Sequence, residues 1–76
     1  MIDIKKLQSL GFSIQDLTVT YQKIIGTVST SIFTDETYED VRQTNYDINK
    51  YWGEFNDKLS VILETLKEVQ DNAKDN

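Results

Sequence analysis

From Tyr38 onward the apolar positions follow a strict rhythm: Tyr38, Val41, Ile48, Trp52, Phe55, Leu59, Ile62, Leu66, Val69 and Ala73, with Asn45 filling the one gap. The steps alternate three and four, a heptad held over about five repeats, and this predicts an α-helix from about residue 35 to about 72. At ~1.5 Å per residue the stripe is roughly 50 Å long. With Tyr38 at heptad position a, the a series is Tyr38, Asn45, Trp52, Leu59, Leu66 and Ala73, and the d series is Val41, Ile48, Phe55, Ile62 and Val69. The stretch "FTDETYED" offers Thr34 or Asp35 as N-cap, with acids in the first turn opposing the positive end of the helix dipole. The stretch "QDNAKDN" loses the pattern, so residues 71–76 are expected to fray.

The first half repeats the habit with Leu7, Leu10, Ile14, Leu17, Tyr21, Ile24 and Val28. Either one helix runs from about 3 to 29, or Gly11 ends a short first helix and "SIQD" caps a second; the Gly and the adjacent N-cap favour the break. The segment "IIGTVSTSIFT" is β-branched, but no second strand exists to pair with it, so frayed helix leading into a turn near 30–35 is expected. The fold class is therefore all-α: a helical hairpin in one small domain, residues 1–76, built from a short N-terminal helix or helices and one long heptad-patterned helix.

Folding such a hairpin about residue 33 sets position i opposite about 66 − i. Tyr21 then lies beside Asn45, whose polar group would be satisfied by the Tyr21 hydroxyl or by a second Asn45. Leu7 meets Leu59, and Ile62, Leu63, Leu66 and Val69 are left as an overhang. Four large aliphatics would each contribute roughly 1.5–3 kcal/mol on complete burial. This predicts a dimeric helical bundle, either a homodimer of hairpins or a complex with another helical protein. The expected interface is Tyr21, Asn45, Trp52, Phe55, Leu59, Ile62, Leu63, Leu66 and Val69.

Composition narrows the chemistry. Seventy-six residues without Cys or His exclude disulfides and cysteine- or histidine-ligated zinc, and remove the usual general base and thiol nucleophile. No Gly-rich phosphate loop is present, so no enzyme, cofactor or metal is expected. There is no long apolar run for a membrane span, and the start, broken by Asp3, Gln8 and Ser9, does not read as a secretory signal; a cytoplasmic location is expected. The net charge of −5 sits in the second half. An acidic chain is a poor direct ligand for nucleic acid. Asp40, Asp47, Glu54, Glu68 and Asp75 recur on the outer face of the long helix. One reading is a solvated face with interleaved lysines; the alternative is an acidic, phage-type inhibitor that mimics a nucleic-acid backbone.

Trp52 and Gly53 stand in "YWGEFNDKLSVILETL". This stretch resembles the part that follows the Trp-x-Gly motif of WXG100, ESAT-6-like proteins, small acidic hairpins that pair as four-helix bundles and leave the cell by type VII secretion. The resemblance implies a secretion substrate or escort. Here Trp and Gly are adjacent and inside the predicted helix, where that family separates them by one residue in the turn. It covers about a third of the chain, and no Tyr precedes an acid by four residues in the C-terminal tail. The leading expectation is a non-enzymatic interaction or assembly module that docks through its apolar seam.

Overall fold

A computed structural model describes residues 2–74. Two helices fill it: α1, Ile4–Thr34, and α2, Tyr38–Lys74, packed antiparallel as an all-α hairpin 59 Å long and 15 by 11 Å across. No strand occurs among the described residues.

α1 starts on Asp3, whose Oδ1 accepts from the Lys6 backbone N–H at 3.2 Å, and it does not break at Gly11. The expected break fails because Gly11 keeps negative φ, so no helix-ending left-handed residue forms there. The hydroxyl-rich end also stays helical, through Thr34, where a turn was expected from residue 30. Its hydroxyls donate back into the helix: Thr27 to the Lys23 carbonyl at 2.8 Å, Ser31 to the Val28 carbonyl at 2.8 Å and Thr34 to the Thr30 carbonyl at 3.0 Å. Groups that would otherwise compete for turn backbone are thereby satisfied without leaving the helix.

The connection is three residues, 35–37. The Asp35 N–H donates to the Ser31 carbonyl at 3.0 Å, closing α1, and Asp35 Oδ2 accepts from Thr44 Oγ1 at 2.7 Å, tying the turn to the first part of α2. The N-cap of α2 is Thr37 rather than Thr34 or Asp35. The Asp40 N–H donates to Thr37 Oγ1 at 3.1 Å, while Asp40 Oδ2 accepts from the Thr37 and Glu36 N–H groups at 3.1 Å each. This is a reciprocal capping box with Asp in the third helical position. α2 continues to Lys74; residues 75 and 76 of the expected frayed tail lie outside the described residues.

Moving the turn to 35–37 changes the register. Lys6 meets Glu68, Asp16 meets Lys58 and Tyr21 meets Phe55. Opposed residue numbers therefore add to about 74–76, not 66, a slip of between two and three helical turns on the facing helix. The predicted overhang disappears. Ile62 and Val69 are buried with Leu10, and Leu17 packs against them. Leu10, Ile62 and Val69 are the only buried apolar side chains among the described residues, a thin core.

Candidate docking face

On α1 the positions turned toward α2 are Lys6, Leu10, Ser13, Leu17, Thr20, Ile24, Thr27 and Ser31, all buried or half-buried. On α2 they are Thr44, Ile48, Tyr51, Phe55, Lys58, Ile62, Thr65 and Val69. Each seam thus pairs one apolar row with one row of hydroxyls, Lys and Tyr. Small hydroxyl side chains let helices approach closely, but they bury little apolar area.

The polar row is satisfied within the chain. Thr20 is fully buried and its Oγ1 accepts from Lys58 Nζ at 2.8 Å; Lys58 Nζ also lies 3.2 Å from Asp16 Oδ2. Lys6 Nζ pairs with Glu68 Oε2 at 3.0 Å, and Lys23 Nζ stands 5.9 Å from the centre of the Tyr51 ring. These contacts line one edge of the hairpin.

The other edge is different. Three residues before each apolar seam residue lies a second row: Leu7, Ile14 and Tyr21 on α1, and Asn45, Trp52, Leu59 and Leu66 on α2. In an antiparallel pair the reversed chain direction and the reversed facing direction cancel, so both rows emerge on the same side. The aromatic rings show it directly. Trp52 stacks on Phe55 at 5.3 Å between centroids, and Tyr21 meets the same ring at 6.4 Å. Leu7, Ile14, Tyr21, Val28, Trp52 and Leu66 are all exposed, Ile14 and Trp52 by about half (51% and 49%). Ile4, Ile25, Ile32 and Leu63 extend the same strip. Phe12, Val19 and Phe33 are exposed on another row of α1, seven and fourteen residues apart, and Tyr46 and Val61 are exposed off the strip on α2.

Of the residues expected at an interface, Tyr21, Trp52, Leu63 and Leu66 lie exposed on this strip, and Phe55 and Leu59 sit half-buried at its floor. Ile62 and Val69 do not belong to it, because α1 covers them. Asn45 is exposed and faces no Tyr21, which the register carries to Phe55 instead. Ile4, Leu7, Ile14, Ile25, Val28 and Ile32 also lie exposed on this strip and were not among the residues expected at an interface. The polar seam row was missed too, although Lys6, Ser13, Thr20, Thr27 and Thr44, Tyr51, Lys58, Thr65 each recur at steps of seven. That spacing was the available signal.

The acidic row is partly occupied. Asp40 caps α2 and its carboxyl is held below the usual range, first by the Glu36 N–H, then by the N–H and hydroxyl of Thr37. Asp47 and Glu54 are half-buried, Asp47 accepting from Gln43 Nε2 at 3.1 Å, and Glu68 is paired with Lys6. Lys58, one of the lysines interleaved with these acids, reaches across to Asp16 on α1. Asp75 lies outside the described residues. No group of three or more carboxylates is placed to hold a metal among the described residues, and no described helix is long and apolar enough to cross a membrane.

A Cβ at Gly53 would meet nothing within 4 Å, and Gly53 is exposed on the outer side of α2. Within the chain, therefore, the Gly beside Trp52 admits no neighbouring backbone. Comparison with known proteins gives no match: no family model fits the chain, and no curated protein and no solved structure is similar to it.

Proposed function

We propose that the chain is a non-enzymatic interaction and assembly module that docks through the apolar strip, as a homodimer or on another helical protein. One observation carries this reading: the apolar rows of both helices emerge side by side on one face, while the groups on the opposite edge are paired within the chain. An extended apolar strip of this kind on a small chain supports docking, because monomeric proteins rarely leave a large contiguous apolar patch uncovered. A coiled-coil-like packing against further helices would complete the half of each heptad that the hairpin seam leaves unused.

The acid-mimic reading has less support, because Asp40, Asp47 and Glu68 are engaged within the chain and the lysines at 6 and 58 lie among the acids. No observation in the fold favours the secretion reading. Pull-down from the native host with three baits separates the interaction surfaces. Trp52→Ser with Leu66→Ser is expected to abolish association, a second copy included, and Asp47→Lys with Glu54→Lys to leave it intact. The reverse pattern would replace docking with mimicry.

A further inference from the structure

We infer that the occupant of the apolar strip is a second copy of this chain, the two hairpins packing face to face as a four-helix bundle; this rests on the docking reading above. Two independent observations select the second copy. The first is charge. Although the chain carries −5 overall, no described Asp or Glu of either helix lies on the strip. Asp16, Asp40, Asp47, Glu54 and Glu68 fall toward the polar edge, and Glu39, Asp57, Glu64 and Asp71 toward the back of α2. Two copies can therefore meet without bringing like charges together, and all their acids point outward. A different helical partner is ordinarily selected, and self-pairing rejected, by charges flanking the apolar row. Arg42, near the turn, is the one charge on this face and lies 3.8 Å from Glu39 Oε1 of its own helix, so nothing here discriminates against a copy of itself.

The second observation is size. The broad side of the hairpin measures 59 by 15 Å, an outline of about 900 Å², against the ~800 Å² per partner of a standard interface. A partner shorter than the hairpin would leave one end of the strip bare, whereas a second hairpin matches it end to end. Asn45, Asn49 and Asn56 interrupt the apolar chemistry on the α2 side without adding charge, and uncharged amides can bond to their counterparts or to α1 of the other copy.

Sedimentation equilibrium across the micromolar range, on the full chain, tests the inference. Trp52, the only Trp, is half exposed in the single hairpin and serves as an internal probe. The expected result is twice the 8.8 kDa chain mass, with Trp52 emission moving to shorter wavelength as the dimer forms and following the same concentration dependence. Ile14→Asp and Val28→Asp, both at positions open to solvent in the hairpin, are expected to halve the mass while keeping the helical signal. Gln22→Asp, exposed off the strip, is expected to leave the dimer unchanged. A dimer indifferent to both strip variants would overturn the inference, since another surface would then hold it. So would a monomer at every concentration, and an apolar-surface dye then separates the two readings. Dye bound by that monomer and lost in Ile14→Asp removes only the second copy, whereas no dye binding removes the docking face as well.

Discussion

Two side chains at the ends of their interactions show how this hairpin is held. Thr20 is fully buried and gives Lys58 an acceptor at 2.8 Å, whereas Asp16, the ionic partner of the same ammonium, is largely exposed. A buried hydrogen bond to a charged group outweighs a screened surface ion pair. Thr20→Val is accordingly expected to cost about 1–2 kcal/mol, and Asp16→Asn well under ~1 kcal/mol, in thermal or denaturant unfolding. Equal losses would mean that the ion pair, not the hydroxyl, anchors Lys58. Asp40 gives a pH signature. Its carboxyl is held below the usual value of 3.8 in the folded chain, so the unfolded chain binds the proton more readily. The contribution to stability is complete above that ordinary value and fades as pH falls through the lower, folded one. Asp40→Asn should melt below wild type at neutral pH, with the gap closing in strong acid. A gap independent of pH would show that the charge on Asp40 plays no part.

The helices are continuous through residues that usually interrupt them. Gly11, Gly26 and Gly53 keep ordinary helical backbone, and a Cβ at any of them meets nothing within 4 Å. Replacing Gly26 or Gly53 by Ala is therefore expected to stabilise the hairpin by up to ~1 kcal/mol each, the cost of Gly in a helix interior. Gly11 lies on the apolar strip, and its Ala variant should gain less if a second backbone approaches there. A Gly53→Ala variant less stable than wild type would show that the open surface beside Trp52 is used. The α2 cap adds a second lever: Thr37→Ala should cost about 1 kcal/mol by releasing the Asp40 N–H.

At the scale of the molecule, register decides which aliphatics are core. Ile62 sits buried with Leu10 and Val69, while its neighbour Leu63 is more than half exposed (56%). Ile62→Ala should destabilise by ~2–5 kcal/mol through lost burial and a residual cavity. Leu63→Ala should leave a monomeric hairpin nearly unchanged, yet weaken the proposed dimer, and comparing unfolding at low and high concentration reads the difference. If both variants cost the same at every concentration, Leu63 belongs to the core of the single chain.

Periodicity in the sequence was sufficient for the all-α class and for a hairpin with one long second helix, because those depend on backbone geometry within each segment, but it favoured a break at Gly11 that α1 does not make. It also singled out Trp52, Leu63 and Leu66, which do lie on the exposed strip. The register was not legible. It hinges on where α1 stops, and the hydroxyls of Thr27, Ser31 and Thr34 bond back into the helix and delay the turn to 35–37. A slip of between two and three turns then put Leu10 over Ile62 and Val69 and moved Tyr21 from Asn45 to Phe55. Nor could spacing alone say which side of the apolar stripe faces the other helix. A stripe two rows wide fits either neighbour. Only the packed pair shows that one apolar row joins the hydroxyl row in the seam, because small side chains allow close approach, and leaves the other row facing outward.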